Sequence, residues 1–182
     1  RLAQAMAATG DGMWEWRPET GTRLFPSGDK DLFGYSAEEF ADFVPNFVQF
    51  IHPDDIAQRE LDHQNYALGH SPVYTNEARI RCKDGSWRWV LSRGVSIGEA
   101  GLTGPAPHMI GVYTDISDRK RSEQVIWQQA NFDPLTSLPN RRMLRDRLEQ
   151  EILKGRRDGS QLALLFLDLD HFKEVNDTLG HE

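Results

Sequence analysis

Apolar and polar side chains alternate along several short stretches of the first 116 residues, with the two-residue period of a β-strand that buries one face. The alternation predicts five strands, at residues 13–17, 23–25, 73–82, 87–97 and 107–116. The tight turn Lys-Asp-Gly-Ser separates the third strand from the fourth. Because helical segments separate the first two strands from the last three, the sequence predicts an α+β domain built on a five-stranded antiparallel sheet.

Helical signals occupy the region between the second and third strands. Ser36 and Glu39 have the spacing of a capping box, in which each side chain bonds to the backbone amide of the other residue. A longer helix is predicted over residues 53–68, because it opens with a proline and a glycine follows its end. A short helical segment is also predicted over residues 1–10. We expect three apolar residues of the longer helix to lie near its buried side: Ile56, Leu61 and Leu68.

A further helix connects this domain to the second part of the chain. It is predicted over residues 118–131, with Ser117 as its N-cap and Asp118 placing negative charge at the positive end of the helix dipole. Its length would be roughly 20 Å at about 1.5 Å per residue. Four residues recur at helical spacing and make the helix amphipathic: Ser122, Val125, Ile126 and Ala130.

The chain after residue 132 has the pattern of the start of an α/β domain. A helix is predicted over residues 141–154, a turn over residues 155–159 and a buried strand over residues 162–167. The strand has no partner strands in this sequence, so residues 133–182 are expected to be a truncated part of a larger domain.

The residues that follow this strand carry candidate chemistry. A carboxylate at Asp168 could hold Mg²⁺, an ion that prefers oxygen ligands, and the amides that open the next helix could face phosphate. In the alternative, Asp168 and Asp170 only cap that helix. An EF-hand is excluded, because Phe172 and Lys173 occupy a ligand position and the position of the required glycine.

Composition narrows the functional classes. The chain of 182 residues is 38% hydrophobic and 27% charged, as soluble globular proteins are. Its longest apolar run, residues 162–167, is far shorter than the roughly 18 residues that span a membrane, so we expect no membrane segment in it, while leaving an upstream one open. The net charge of −7 argues against nucleic acid as a partner. Cys82 is the single cysteine, which fits a reducing, cytoplasmic setting.

Four motifs in the first part of the chain resemble those of PAS sensor domains. They are F-G-Y-S-A-E-E at 33–39, I-H-P-D-D at 51–55, R-I-R-C-K-D-G-S-W-R-W at 79–89 and D-I-S-D-R-K-R-S-E at 115–123. The resemblance implies that residues 11–116 form a sensor domain in which the sheet and a helical flank enclose a cavity. It also implies that residues 117–132 form a signalling helix.

Tryptophans are the candidate lining of that cavity. Trp14 and Trp16 share one face of their strand, as do Trp87 and Trp89 of theirs. Such side chains could hold a planar ligand such as a flavin, or they could pack against a helix or a second subunit. His63 could be a haem ligand, but it stands among polar residues as a solvated histidine does. Cys82 lies outside the sequence context of the cysteine in a photochemical flavin site. Neither haem nor a photochemical flavin is therefore favoured, and the ligand is left unknown.

Two motifs in the second part resemble those of GGDEF diguanylate cyclase domains: D-P-L-T-S-L-P-N-R at 133–141 and D-L-D-H-F-K-E-V-N-D-T-L-G-H at 168–181. The resemblance implies that residues 133–182 are the N-terminal part of such a domain. The ligand roles that it implies are Mg²⁺ at Asp168 and the Leu169 carbonyl, GTP phosphates at the amides of His171, Phe172 and Lys173, and guanine at Asn176.

The order of the two domains implies a function. The PAS domain would set, through the helix, the placement of two GGDEF domains in a homodimer, and so their rate of joining two GTP into cyclic-di-GMP. The 182 residues themselves are expected to be inactive, since the second metal carboxylate would lie beyond them. Two alternatives are a degenerate GGDEF domain that binds GTP to regulate a downstream EAL-type phosphodiesterase, and a purely dimerising module. Five residues are the candidates for the signalling linker: Asp115, Ser117, Ile126, Asp133 and Arg141.

Overall fold

The structure, a computed structural model, describes residues 11–17, 22–24, 30–36, 39, 44–97 and 108–180. The chain divides into two compact units, residues 1–124 and residues 125–182. The helical segment predicted over residues 1–10 lies outside the described residues. Among the helices that are described, none is long and apolar enough to cross a membrane.

The first unit is built on a five-stranded antiparallel sheet, as the alternation of side chains predicts. The strands are β1 (Gly12–Arg17), β2 (Thr22–Leu24), β3 (Tyr74–Arg81), β4 (Trp87–Ile97) and β5 (His108–Asp115). Their spatial order is β2-β1-β5-β4-β3, so β5 lies at the centre between β1 and β4. The chain therefore leaves the sheet from its central strand.

One row of residues crosses the sheet from β1 to β3. Trp14 pairs with Gly111, Gly111 with Gly94, and Gly94 with Tyr74. A methyl group built on Gly94 would come within 2.5 Å of the Trp14 ring, and one built on Gly111 would overlap both that ring and the Arg93 carbonyl. The two glycines thus leave the space in which the Trp14 indole, only 1% exposed, is buried.

Aromatic side chains fill the core against this face of the sheet. Helix α1 (Lys30–Phe33) contributes Phe33, and the 3-10 helix Val44–Phe50 contributes Phe47. Phe47 stacks on Tyr113 with the ring centroids 6.2 Å apart, and Phe33 meets the same ring edge-on at 5.9 Å. The sheet therefore buries one face under helical segments, which confirms the predicted α+β class.

Helix α2 (Pro53–Ala67) is attached to the sheet mainly by polar side chains. Asp62 accepts a hydrogen bond from the side-chain amide of Asn76 at 2.8 Å, and the Tyr66 and Ser96 hydroxyl oxygens lie 2.8 Å apart. The prediction that its aliphatic residues lie near the buried side was wrong, since all three are exposed: Ile56, Leu61 and Leu68. Hydrophobic periodicity failed here because polar and aromatic residues form the face that meets the sheet.

Two local sequence signals are confirmed. The Ser36 amide donates to the Glu39 carboxylate at 2.9 Å and the Glu39 amide donates to the Ser36 hydroxyl at 3.3 Å, so the capping box is formed. In the turn between β3 and β4, the Cys82 amide donates to the Ser86 carbonyl at 2.8 Å, and Gly85 takes a φ of 85°. That left-handed conformation is accessible to glycine at no steric cost.

Three helices are described after the sheet: α3 (Ser117–Asn131), α4 (Arg141–Asp158) and α5 (Phe172–Leu179). Helix α4 runs through the turn that was predicted over residues 155–159, so that prediction was wrong. The helix ends instead at Asp158 and is capped by Gly159, which has a φ of 74° and donates its amide to the Gly155 carbonyl at 2.9 Å.

The prediction of a buried strand over residues 162–167 was also wrong. Residues 160–169 have no regular secondary structure. Leu165, Phe166 and Leu167 are 81%, 85% and 88% exposed. A strand must pair its backbone amides and carbonyls with another strand, and none of the residues described here supplies one to this segment.

Candidate functional site

Short hydrogen bonds tie the end of β5 and the start of α3 to β4. The Ile116 amide donates to the Trp89 carbonyl at 2.9 Å, and the Trp89 amide donates to the Ser117 hydroxyl at 3.0 Å. Asp115 accepts a bond from the Ser117 amide at 2.8 Å and pairs with Arg88 at 3.2 Å. Two of the predicted signalling residues, Asp115 and Ser117, therefore lie together at one junction.

Ser117 does not have its predicted place as the residue before the helix. It is the first residue of α3, and its hydroxyl is engaged by β4. The Ile116 carbonyl accepts the first helical hydrogen bond, from the Lys120 amide at 2.9 Å. The serine therefore fastens the helix to the sheet, because the Trp89 amide competes for the hydroxyl that would otherwise cap the helix.

An ion-pair network holds the first turn of α3 against the face of β3 that points away from the core. The Glu77 carboxylate pairs with Lys120 at 2.6 Å and also with Arg119. Lys120 lies 4.8 Å from the centroid of the Trp89 ring, and Arg79 lies 5.2 Å from it. Cations within about 6 Å of an aromatic centroid are attracted to the ring. Trp89 thus joins the sheet to α3 through both its backbone and its ring.

Arg79 extends this network to α2. Its guanidinium binds the two carboxylate oxygens of Asp55 at 2.8 and 2.9 Å, and its backbone amide donates to Asp55 at 2.8 Å. These hydrogen bonds hold the pKa of Asp55 below its ordinary value, although partial burial opposes them. Partial burial also acts to raise the pKa of Glu77, but the hydrogen bonds from Lys120 and Arg119 outweigh it and the pKa is lowered. Both carboxylates are therefore charged at neutral pH.

A hydrogen-bonded turn joins α3 to α4. Asp133 accepts bonds from the amides of Leu135 and Thr136 and from the Thr136 hydroxyl, at 2.9 to 3.1 Å. The bonds from Thr136 lower the pKa of Asp133. Phe132 and Pro139 form a β-bridge across the turn. Asp133, a predicted linker residue, thus organises the backbone that separates the two helices.

Two neighbouring residues begin α4. Arg141, a predicted linker residue, is its first residue and is exposed. Asn140 is the N-cap, and its side-chain oxygen accepts a bond from the Met143 amide at 3.1 Å. The side-chain amide of Asn140 also donates to the Ala130 carbonyl in the last turn of α3, at 2.9 Å. Sequence reasoning missed Asn140, although its place before a helical pattern was a readable N-cap signal.

The residues with implied metal and phosphate roles lie in an exposed segment before and at the start of α5. The Asp168 carboxylate accepts a bond from the Leu169 amide at 3.0 Å. The Leu169 carbonyl accepts a bond from the Phe172 amide at 3.4 Å. His171 precedes the helix with a φ of 60°, and its ring lies 3.2 Å from Glu174. The backbone turns sharply between Asp168 and the helix, where the sequence expected a strand end.

The remaining implied ligand residues, Lys173 and Asn176, lie within α5 itself. A carboxylate at Asp168 and a carbonyl at Leu169 are oxygen donors of the kind that Mg²⁺ prefers, so these two groups fit the ion in kind. Among the described residues, no group of three His, Cys, Asp or Glu side chains could hold a metal ion. Asp168 would therefore need further ligands to form a magnesium site.

The four candidate tryptophans do not line one cavity, because they lie on opposite faces of the sheet. Trp14 is buried, and Trp16 packs against the core with its ring 6.1 Å from His63. In β4 the buried residues alternate with exposed or half-buried ones, and Trp87 and Trp89 belong to the second set. Within each strand the two-residue period keeps a pair of tryptophans on one face. That face is the buried one in β1 and the opposite one in β4.

The cavity between the sheet and the helical segments is small in the described part of the domain. Its volume is about 10 Å³, roughly the space that one water molecule needs. It is lined in part by Asn76, Ser92 and Tyr74. The Ser92 hydroxyl has no hydrogen-bond partner among the residues described, and it is buried. A water molecule bound there would satisfy that hydroxyl.

Comparison with known proteins divides the chain at the same place as its motifs. A family model for the PAS fold matches residues 29–113, and a model for the diguanylate cyclase GGDEF domain matches residues 130–182. The chain is 57% identical over 54 residues to the diguanylate cyclase DgcP of Pseudomonas aeruginosa, a match that covers 30% of this chain and 8% of DgcP. It is 52% identical over 61 residues to the bifunctional diguanylate cyclase/cyclic di-GMP phosphodiesterase MucR of the same organism, covering 34% of this chain and 9% of MucR.

A solved structure extends the comparison to the fold. A sensory box histidine kinase/response regulator from Burkholderia thailandensis superposes with a TM-score of 0.58 and 27% identity, covering 82% of this chain and 98% of that chain. The curated relatives are far longer, since this chain spans less than a tenth of DgcP or MucR. The sheet, the junction at its last strand and the two family matches identify the chain as a PAS domain followed by the start of a GGDEF domain.

Proposed function

We propose that the full-length protein is a diguanylate cyclase whose PAS domain regulates two GGDEF domains in a homodimer. Each GGDEF domain would bind one GTP, and the two nucleotides would be joined into cyclic-di-GMP. The observation that carries this proposal is the GGDEF match over residues 130–182 together with the 57% identity to a diguanylate cyclase. Use of GTP and the buried free thiol of Cys82 favour the cytoplasm as the place of the reaction.

The proposed nucleotide site begins at the exposed segment before α5. The first amides of a helix carry partial positive charge and lack partners within the helix, so they suit phosphate. The Phe172 amide bonds to the Leu169 carbonyl at 3.4 Å, which is long for a hydrogen bond, so a phosphate oxygen would replace it at small cost. The proposed contacts are Asp168 and the Leu169 carbonyl to Mg²⁺, the amides of His171, Phe172 and Lys173 to the GTP phosphates, and Asn176 to guanine.

Mg²⁺ bound at Asp168 would neutralise charge that develops on the reacting phosphate. Asp168 and Asp170 are exposed, so both carboxylates are accessible to an incoming nucleotide and its cation. The chain's own residues in this proposal hold the GTP and orient it, since they are backbone groups and short side chains fixed near one helix end.

Regulation in this proposal passes through α3. Glu77, Trp89 and Ser117 fasten its first turn to the PAS sheet, so a shift of the sheet would move the helix. Further along, α3 carries three apolar side chains that are half exposed or more: Val125, Ile126 and Trp127. Exposed apolar side chains on a helix favour pairing with a second helix, which in the homodimer would be α3 of another copy.

The signal itself would act on the buried side of the PAS domain. Trp14 and Trp16 belong to the core there, close to His63 and Tyr74 on the helical flank and β3. Trp87 and Trp89 lie on the other face, where Trp89 contacts the first turn of α3. Trp14 and Trp16 would therefore lie on the input side of the domain, and Trp89 would serve its output through α3.

A second candidate function is supported by the likeness to MucR, which is named as both a cyclase and a phosphodiesterase. In this alternative the GGDEF domain binds GTP without joining it and regulates an EAL-type phosphodiesterase domain of the same protein. The PAS domain and α3 would have the same positions in both schemes. The two functions differ in whether the protein forms cyclic-di-GMP from GTP or only hydrolyses cyclic-di-GMP that is supplied to it.

The test is the synthesis of cyclic-di-GMP by the purified full-length protein with GTP and Mg²⁺, compared with Asp168→Ala. We expect the wild type to form the product and Asp168→Ala to lose activity by far more than tenfold, since a tenfold loss is only about 1.4 kcal/mol of barrier. Asp146→Ala removes an exposed carboxylate from α4 and serves as the control with unchanged activity. A wild type that makes no product while GTP stimulates hydrolysis of cyclic-di-GMP would establish the second candidate instead.

A further inference from the structure

Asn140 bonds to both of the helices that flank the turn between α3 and α4. Its side-chain amide donates to the Ala130 carbonyl at 2.9 Å, and its backbone amide donates to the Asn131 carbonyl at 2.8 Å. Its side-chain oxygen accepts a bond from the Met143 amide at 3.1 Å. One residue therefore satisfies two carbonyls at the end of α3 and an amide at the start of α4.

These backbone groups are the ones that helices leave without internal partners. The last carbonyls of α3 and the first amides of α4 must bond to a side chain, to water or to another segment. Where a side chain bridges both sets, the two helix ends are held at a fixed separation, because each bond requires a donor–acceptor distance near 3 Å. A cap that bonded to water at one end would impose no such constraint.

The chemistry of the side chain selects asparagine. The Ala130 carbonyl needs a donor and the Met143 amide needs an acceptor, and a carboxamide offers both on one short side chain. Aspartate or serine at this position would still cap α4, because both are favoured N-caps. Aspartate would place a negatively charged oxygen beside the Ala130 carbonyl oxygen, and the two oxygens would repel each other. The cap and the bridge can therefore be separated by substitution.

We infer that Asn140 is a positioning residue that fixes the direction of α4 relative to α3, so that a movement of α3 is passed on to the helix that begins the GGDEF domain. The turn between them supports this role, since Asp133 and the bridge between Phe132 and Pro139 order its backbone. The inference rests on the proposed regulation through α3 for its purpose, but the fixed geometry can be measured without any enzyme activity.

The first test is a distance measurement within this chain by pulsed electron double resonance. Spin labels are placed at Gln129→Cys on α3 and Glu151→Cys on α4, both exposed, with Cys82→Ala in the background and an excess of unlabelled chain. We expect a narrow distance distribution that becomes broader and shifts in Asn140→Asp, with helix content by circular dichroism unchanged.

Asn131→Asp is the matched control. The side-chain amide of Asn131 donates to the Trp127 carbonyl at 2.7 Å, and the substitution removes this donor. The lost bond lies within α3 alone, so it does not connect α3 to α4. The distance distribution of this variant should stay narrow. Asn140→Ser, which keeps a cap and has no amide, should behave like Asn140→Asp. An unchanged distribution in both Asn140 variants would overturn the inference, and so would equal broadening in Asn131→Asp or a loss of helix content in both Asn140 variants.

The second test asks whether Asn140 transmits movement, and it uses the full-length protein. Glu77→Gln, which weakens the attachment of α3 to the PAS sheet, is combined with Asn140→Asp, and the rate of cyclic-di-GMP formation is measured for each. If Asn140 passes on the position of α3, the effect of Glu77→Gln on the rate is lost in the Asn140→Asp background. An equal effect in both backgrounds would contradict the role. A full-length protein without activity would count against the proposed function, whereas the distance measurement would still decide on Asn140.

Discussion

Glu77 on β3 pairs with Lys120 on α3 at 2.6 Å, although Lys120 lies 43 positions further along the chain. The pair joins the sheet of the PAS domain to the helix that leaves it, and the same carboxylate also binds Arg119. Lys120 in turn lies over the ring of Trp89, whose backbone amide bonds to Ser117. Helix α3 is thus held by side chains in addition to its covalent connection.

The first prediction concerns this attachment. Glu77→Gln keeps the shape of the side chain and removes its charge, so the first turn of α3 should open more often. An exposed ion pair contributes about 0.2–1 kcal/mol, which corresponds to at most about fivefold faster hydrogen exchange. The measurement is amide exchange at Lys120, Arg121 and Ser122, because the Lys120 amide makes the first helical hydrogen bond of α3.

Glu60→Gln is the control for that prediction, because Glu60 is an exposed carboxylate on α2. It should leave exchange in α3 as in the wild type. Exchange in α3 that is the same in Glu77→Gln as in the wild type would show that the ion pairs of Glu77 do not hold the first turn of the helix.

The second prediction is a loss of PAS-domain stability in acid. The pKa values of Asp55 and Glu77 are lower in the folded protein than their ordinary values. Such groups contribute stability at pH above their unfolded pKa of about 4, and this contribution is lost as the pH falls through the lower folded pKa. The free energy of unfolding should therefore decrease from about pH 5 downward.

Asp55→Asn separates this effect from acid denaturation in general. The variant should be less stable than the wild type at pH 7, and the difference between the two should shrink as the pH is lowered below about 4. Urea unfolding followed by tryptophan fluorescence at several pH values measures it. A difference that stays constant over the acid range would mean that the pKa of Asp55 is not lowered by folding.

The third prediction tests the packing of Trp14 on the sheet. Gly94→Ala places a methyl group against the Trp14 ring, and overpacking of this kind costs about 1–3 kcal/mol. A smaller ring should relieve the overlap, so Trp14→Phe should destabilise the Gly94→Ala protein less than it destabilises the wild type. Thermal unfolding of the four proteins gives the coupling. Additive effects would contradict the contact.

The strands of the PAS domain were predictable because each has one buried and one solvated face. Apolar and polar residues therefore alternate along the sequence of each strand. The predicted range 87–97 and the observed strand Trp87–Ile97 agree. The buried face of α2 was not predictable in the same way. Its contacts with the sheet include those of Asp55, Asp62 and Tyr66, polar side chains that a search for a stripe of aliphatic residues does not find.

The role of a site residue was predictable where its hydrogen-bond partners are close to it in the sequence. It was not predictable where the partner lies far away along the chain. Asp133 organises a turn from residues beside it, so its role follows from its neighbours. Ser117 bonds to Trp89, a partner 28 residues away, and the sequence indicated a helix cap instead. The apolar run at residues 162–167 has the composition of a strand, but composition alone supplies no neighbouring strand to pair with.

The most direct test of the account is a series of insertions in α3 of the full-length protein, between Glu123 and Gln124. One added residue turns everything after it by about 100°, whereas seven residues return nearly the same face to the partner helix. The quantity measured is the ratio of cyclic-di-GMP formation with and without Glu77→Gln, which reports how strongly the PAS sheet controls the cyclase. Ile126→Asp, which places a charge on the apolar side of α3, is expected to act like the single insertion.

Control through a rigid helix predicts a ratio that differs from one in the uninserted protein. The ratio should be one with a single added residue, and it should return largely to the uninserted value with seven. The same ratio in the uninserted protein and in all three variants would contradict that claim and would make α3 a flexible tether.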